Sequence, residues 1–166
     1  IELQRQEQER IRREQEIIEK RKGSIIEFLG DGIFAIFGAP LELENHASNA
    51  VAAAVEMQMR MEEINVWNEA QGFPQLEMGI GINTGEVIVG NIGSERRSKY
   101  GVMGSHVNLC GRIESYTVGG QVLISPLTRS MIKEPLTVMQ EMEVMPKGVK
   151  SPLLLSHVTG IGGEYQ

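Results

Sequence analysis

Apolar residues recur with a helical period in one long segment of the chain. In residues 47–64 they fall at alternating steps of three and four, which predicts an amphipathic helix. The methionines on this face are interpreted as core residues rather than as ligands. Two further helices are predicted at residues 104–116 and 126–133; Ser125 can cap the second, and Pro126 occupies its first position.

Shorter apolar runs predict strands. The runs 25–29 and 33–37 flank Gly30-Asp31-Gly32, which is typical of a β-hairpin with a tight turn. Asp31 is the only aspartate in the chain. Its position between two glycines suits either an ordinary turn residue or a metal ligand that projects from the hairpin tip.

A second hairpin is predicted from residues 76–83 and 86–92, around Thr84-Gly85. Further strands are predicted at residues 121–125, 137–144 and 152–158. This order of helices and strands predicts an α+β sandwich, with an antiparallel or mixed sheet covered by helices.

Residues 1–22 are strong helix formers with few apolar positions. The apolar residues of this segment are Ile1, Leu3, Ile11, Ile17 and Ile18. We expect a solvated helix, and the alternative is a coiled-coil linker.

Composition restricts the class of protein. The 166 residues, of which 41% are apolar, are typical of one globular domain with a packed core. No apolar run is long enough to span a bilayer, and no signal peptide is recognisable. Cys110 is the single cysteine, so no internal disulfide forms and a cytoplasmic location is expected.

Charge is unevenly distributed. Residues 1–22 contain seven of the 16 Lys and Arg and six of the 22 acidic residues, so the remainder carries a net charge of −7. An acidic body argues against a nucleic-acid polymer as partner. It is compatible with a single nucleotide, because metal ions can supply the positive charge.

Further candidate site residues lie in the carboxyl-terminal half of the chain. Asn108 and Arg112 are four residues apart and share one face of a predicted helix. An amide can orient a ribose and a guanidinium can bind phosphate oxygens, although this spacing is also common on ordinary helix surfaces. Lys147 and Lys150 lie between two predicted strands, where lysines usually remain solvated.

Three segments in this order resemble the catalytic domain of class III nucleotidyl cyclases of the bacterial homodimeric kind. They are IIEFLGDGIFAIFGAP, IGINTGEVIVGNIGSERRSKYGVMGSHVNLCGRIES and PKGVKSP, which resemble the metal-binding hairpin, the second hairpin with its helix, and the Lys-Gly loop. The resemblance covers residues 12–158 and implies a ferredoxin-like or palm-type sandwich. It divides the chain into a charged helix at 1–22 (linker or first catalytic helix), a catalytic domain at 23–160 and a tail at 161–166.

The resemblance also implies roles for individual residues. Asp31 would bind the two divalent cations (Mg²⁺ or Mn²⁺), Asn108 would orient the ribose, and Arg112 would stabilise charge on the α-phosphate. Lys147 would hold the terminal phosphates. The reaction implied is that of a phosphorus-oxygen lyase, in which the ribose 3′-oxygen attacks the α-phosphate and pyrophosphate leaves.

Which purine base the site would bind depends on whether the protein groups facing it donate or accept hydrogen bonds. Adenylyl cyclases typically carry Lys four residues before the metal aspartate, whereas this chain carries Glu27, a pure acceptor that suits the two guanine donors. Gly101 occupies the partner position in the second loop and offers no acceptor for the adenine amino group. We therefore expect GTP rather than ATP as substrate.

The sequence departs from the family in one respect. The first strand, with the first metal aspartate, is absent, so the stretch itself is expected to be inactive or to belong to a longer protein with an upstream regulatory domain. The resemblance implies a head-to-tail homodimer with shared sites. The alternatives are an adenylyl cyclase and a degenerate, non-catalytic module for dimerisation or nucleotide sensing.

Overall fold

The structure is a computed structural model that describes residues 2–30, 32–92 and 99–162. It contains helices and strands in mixed order along the chain. The helices are α1 (Glu2–Lys20), α2 (His46–Ala70), α3 (Ser105–Ser115) and α4 (Pro126–Ser130). The strands are β1 (Gly23–Leu29), β2 (Gly32–Phe37), β3 (Ile80–Ile82), β4 (Ile88–Ile92), β5 (Lys99–Met103), β6 (Val122–Ile124), β7 (Leu136–Val144) and β8 (Leu153–Ile161).

A four-stranded sheet with the order β3-β6-β8-β7 forms the centre. β3 is parallel to β6, whereas β8 is antiparallel to both of its neighbours. Every residue of β6 is buried, because Val122 and Ile124 face α2 while Leu123 packs beneath Ile113 of α3. The helices therefore cover both faces of a mixed sheet, which confirms the predicted α+β class.

The helices differ from the predictions mainly in length. The amphipathic helix continues past residue 64 to Ala70, and α4 ends at Ser130 rather than at residue 133. The predicted cap of α4 is confirmed, because the backbone N–H of Thr128 donates to the Ser125 hydroxyl at 3.3 Å. Met61 is buried in the core, as predicted.

The first predicted hairpin is confirmed, and the second is wrong. β1 and β2 pair antiparallel on either side of residue 31. β3 instead pairs in parallel with β6, while β4 pairs antiparallel with β5, which lies further along the chain. An apolar run specifies that a strand forms but not which strand it pairs with, since the partner depends on the rest of the fold.

Helix α1 is not the solvated helix that its composition predicts. Ile17 and Ile18 are buried, and so are two charged residues, Arg10 and Glu14. The Arg10 guanidinium donates to the Glu14 carboxylate at 2.7 Å and also pairs with Glu7. These internal partners replace water, which allows a charged helix face to pack against α2 and β1.

A groove separates the β1-β2 hairpin from the central sheet. β2 lines one wall and β3 the other, and neither strand has a second neighbour among the described residues. The groove has a volume of about 330 Å³, and α1 and α2 contribute Ile18, Ala47, Ala50 and Met57 to it. Two unpaired strand edges therefore face one apolar space.

Candidate active site

Helix α3 carries the first two predicted site residues. Ile113 is fully buried and fixes the helix on the sheet, whereas Asn108 and Arg112 are exposed. Gly104 precedes the helix with φ of 144°, and its carbonyl accepts the first helical hydrogen bonds from the N–H groups of Val107 and Asn108. The amide and the guanidinium are thus presented to solvent from a rigid element.

Arg112 differs from the other arginines that the structure describes. It has no carboxylate partner within those residues, whereas the seven others each form an ion pair with a glutamate. The paired arginines are Arg5, Arg10, Arg12, Arg13, Arg21, Arg60 and Arg129. A guanidinium that is exposed and unpaired retains its fork of donors for an external anion.

The loop between β7 and β8, which carries Lys147, passes beside Arg112. Pro146 is buried at the base of this loop, and the N–H of Val149 donates to its carbonyl at 3.1 Å, which closes a turn. Gly148 adopts φ of 89° within the turn, and a Cβ built on it lies 3.6 Å from Nη1 of Arg112. Lys147 is exposed and has no carboxylate partner in the described parts of the chain.

The predicted base-reading residues lie on two neighbouring strands. Glu27 is an exposed residue of β1 opposite Phe34, and Gly101 is a buried residue of β5 opposite Gly90. β1 and β5 contact each other, so the strands that carry the two positions are neighbours. Gly101 was expected in a loop, and the structure corrects this, because the chain is already in β5 at that position.

The predicted metal ligand lies outside the described residues. In the sequence Asp31 lies between Gly30, which has φ of 60°, and Gly32, the first residue of β2. Within the described ranges, no group of three or more His, Cys, Asp or Glu side chains is arranged to hold a metal ion.

Sequence reasoning missed the residues that hold α3 in place. The Asn83 side chain donates to the carbonyl of His106 at 3.0 Å, and the Cys110 thiol contacts the carbonyl of Gly81 at 3.4 Å. A Cβ at Gly85 would lie within 3.0 Å of the His106 ring. Glycines in and after a short strand are the signal that an element packs directly on the backbone.

Burial also affects the chemistry of Cys110. The loss of solvent around the thiol raises its pKa, and the nearby charge of Glu114 acts in the same direction. Cys110 is therefore a structural residue of the α3 contact and a weak nucleophile at neutral pH.

The guanidinium of Arg112, without a carboxylate partner in the described ranges, and the exposed amide of Asn108 lie on one helix beside the turn that carries Lys147. Such a set of donors is suited to a phosphorylated ligand. The chain belongs to the family of adenylate and guanylate cyclase catalytic domains. The model of this family matches residues 5–156. This match confirms the family resemblance that the three sequence segments indicate.

Solved and curated relatives come from both branches of this family. The crystal structure of the guanylyl cyclase Cya2 superimposes with a TM-score of 0.87 at 48% identity, covering 95% of this chain and 80% of that one. For the adenylyl cyclase CyaB from P. aeruginosa the TM-score is 0.82 at 30% identity, with 92% and 79% covered. Adenylate cyclase 1 of Rhizobium meliloti (strain 1021) is 31% identical over 148 residues, which are 88% of this chain.

The chain spans 22% of the length of the Rhizobium meliloti protein. None of the helices in the described ranges is both long enough and apolar enough to cross a membrane.

Proposed function

We propose that this domain is a nucleotidyl cyclase that converts GTP to cyclic GMP and pyrophosphate. The observation that carries the proposal is the exposed guanidinium of Arg112, which has no carboxylate partner among the described residues and lies beside the Lys147-Gly148 turn, in a chain of the cyclase family. Arrays of fixed donors aimed at developing charge are the main catalytic device in phosphoryl transfer.

In the proposed reaction the ribose 3′-hydroxyl loses its proton to water and its oxygen forms a bond to the α-phosphorus. The bond from the α-phosphorus to the bridging oxygen breaks, and pyrophosphate leaves with that oxygen. Asn108 orients the ribose, and Arg112 stabilises the charge that grows on the α-phosphate oxygens. Lys147 holds the terminal phosphates. Removing one donor of this kind typically costs about 10²–10³-fold in kcat.

GTP is the proposed substrate because of the two base-reading positions. Glu27 offers acceptors to the guanine N1 and N2 donors, and Gly101 provides no side-chain acceptor for an adenine amino group. The similarity to Cya2, a guanylyl cyclase, supports this choice. The similarity to Adenylate cyclase 1 supports ATP as the alternative substrate.

Two divalent cations, Mg²⁺ or Mn²⁺, belong to the proposal. When bound, such ions lower the pKa of the 3′-hydroxyl group and neutralise the triphosphate. Asp31 is the one residue of this chain that we assign to them, and we assign the second carboxylate to a strand outside the described residues. The groove between β2 and β3 supports this assignment, because it offers two strand edges beside the hairpin that bears Asp31.

The proposed active form is a head-to-tail homodimer with shared sites. Apolar side chains are exposed on the two strands that carry the base-reading residues, β1 and β5, and on β4, which pairs with β5; examples are Phe28 at 51%, Met103 at 51% and Ile88 at 68% exposure. Burying them against a second copy would remove this surface from water. In such a dimer, Asp31 of one copy acts with Asn108 and Arg112 of the other.

Mixing two inactive variants tests both the chemistry and the shared site. In the full-length protein, Asp31→Ala and Arg112→Ala are each expected to lose cyclic GMP production. Mixed, they should recover part of the activity, because one of the two sites then has both residues intact. Heterodimers that form without recovery would contradict shared sites. A parent protein that binds GTP without turnover would support a degenerate, non-catalytic module instead.

A further inference from the structure

Three hydroxyl groups form a chain between helix α4 and the turn that follows β3. The Thr128 hydroxyl lies 2.8 Å from the hydroxyl of Thr84 and 3.0 Å from that of Ser125, so it can donate to one and accept from the other. Thr128 is fully buried and Ser125 is 2% exposed. Buried hydroxyl groups need partners inside the protein, and this chain supplies them while linking α4 to residue 84.

The turn at residues 83–85 also holds α3. The Asn83 side chain donates to the carbonyl of His106, in the first turn of α3, at 3.0 Å. A Cβ on Gly85 would lie within 3.0 Å of the His106 ring, so the helix packs directly on the backbone of this turn. Thr84 lies between these two residues, and its hydroxyl therefore connects α4 to the seat of α3.

The bond between Thr84 and Thr128 is not needed to begin α4. Ser125 already caps this helix, because its hydroxyl accepts from the backbone N–H of Thr128 at 3.3 Å. Ser125 also lies within hydrogen-bond distance of the Thr128 hydroxyl, which gives that buried group one partner within α4 and its cap. The second partner, Thr84, belongs to a separate element.

We infer that Thr128 is a positioning residue for the reaction, which acts through the Thr84 hydroxyl to hold α3 in place. Asn108 and Arg112 lie on α3, so a displacement of this helix would move both of them away from the ribose and the α-phosphate. The inference rests on the proposed function and adds to it a fully buried residue of another helix.

A matched pair of variants removes one partner of the Thr128 hydroxyl at a time. Thr84→Val removes the hydroxyl that leads to α3 and keeps a β-branched side chain. Ser125→Ala removes the hydroxyl that caps α4 and leaves the bond between Thr84 and Thr128. Thr128→Val removes both hydroxyl contacts, whereas Thr128→Ser keeps the hydroxyl group.

The first measurement is cyclic GMP formation by the full-length protein, together with Tm. Thr84→Val and Thr128→Val should lower kcat about fivefold or more with little change in KM, because Arg112 is proposed to act on charge that grows in the transition state. Ser125→Ala should lower Tm through loss of the cap and leave kcat near the parental value. Thr128→Ser should retain the parental kcat.

The double variant Thr84→Val/Thr128→Val should be no slower than the slower single variant, because both substitutions remove the same bond. Amide hydrogen exchange of residues 105–115 needs no catalytic activity, and it should be faster in Thr84→Val than in Ser125→Ala. Thr84 is only partly buried, so Thr84→Val tests the link even if Thr128→Val does not fold.

Equal losses of kcat in Thr84→Val and Ser125→Ala would overturn the inference, and so would a lower Tm with an unchanged kcat in Thr84→Val. Equal exchange of α3 in these two variants would contradict the link between α4 and α3. Failure of the proposed function is a different result. If the parent protein forms no cyclic nucleotide but the exchange of α3 depends on Thr84, the cyclase assignment fails and the control of α3 by Thr128 stands.

Discussion

Charge pairing divides the arginines of this domain into two groups. Seven described arginines have glutamate partners, and most of these pairs link residues three or four apart on α1. Arg112 has no such partner in the described chain. A glutamate beside it would compete with phosphate for the same donors, so its unpaired state favours ligand binding.

Whether residue 27 accepts or donates hydrogen bonds is expected to decide between GTP and ATP as the substrate. Glu27→Lys replaces an acceptor by a donor, which suits the N1 acceptor of adenine and leaves the guanine donors facing a cation. An unpaired buried donor costs about 1–3 kcal/mol, so the GTP:ATP ratio of kcat/KM should fall by about tenfold or more. Cyclase assays with both nucleotides, each with Mg²⁺ and with Mn²⁺, measure this ratio.

Glu143→Lys provides the control for this charge reversal. Glu143 is an exposed glutamate on β7, so its substitution changes the net charge equally on another strand. Its GTP:ATP ratio should equal that of the parent protein. A Glu27→Lys protein with the parental ratio would mean that Glu27 does not contact the base.

At the scale of elements, the contact between β3 and α3 determines where the site residues lie. A Cβ on Gly81 would lie 2.5 Å from the backbone nitrogen of Glu114, and one on Gly85 would overlap the His106 ring. The helix therefore lies directly on glycine backbone, and the Asn83 hydrogen bond fixes its first turn. Any displacement of α3 moves Asn108 and Arg112 together.

The two glycines are expected to respond differently to a second substitution. Gly85→Ala should destabilise the protein by about 1–3 kcal/mol through overpacking and should lower kcat. In Gly85→Ala/His106→Ala the ring is gone, so part of both losses should be recovered as a favourable coupling energy. Chemical denaturation of the single and double variants, with kcat measured on each, tests this recovery.

Gly81→Ala is the matched control, because its clash is with the helix backbone. His106→Ala should not rescue it. Equal rescue of both alanine variants, or of neither, would show that the His106 ring does not determine how α3 is seated.

Residue periodicity predicted the helices and the first hairpin, because these elements depend on local pattern. It did not predict the partners of β3 and β4, since both are short apolar runs and their pairing is set by contacts distant in sequence. It also took the charged face of α1 as solvated, although Arg10 and Glu14 are buried as a pair. Asn108 and Arg112 are predicted as site residues from their order with other motifs, whereas the positive φ of Gly148 is a backbone angle that sequence does not give.

At the scale of the whole molecule, the sheet is interrupted. The order β1-β2, then the groove, then β3-β6-β8-β7 leaves a space between two unpaired edges. One inserted strand would satisfy the backbone groups of both edges and join the two sheets. Its end would lie beside the hairpin that bears Asp31, where the proposed cations need a second carboxylate.

The last prediction compares the 166-residue chain with one extended upstream by a strand that fills this groove. Asp31 is the only aspartate, so the shorter chain gives two cations one carboxylate and should be slower by about 10²-fold or more.

Cys110, the single cysteine, lines the groove, so its reactivity reports whether the groove is occupied. Its alkylation, normalised to the rate in denaturant, should be slower in the extended chain because the strand covers it. Full activity in the shorter chain would contradict the need for a second carboxylate. Equal alkylation rates would contradict the groove as the position of the strand, and inactivity of both chains with a protected Cys110 would favour the non-catalytic module.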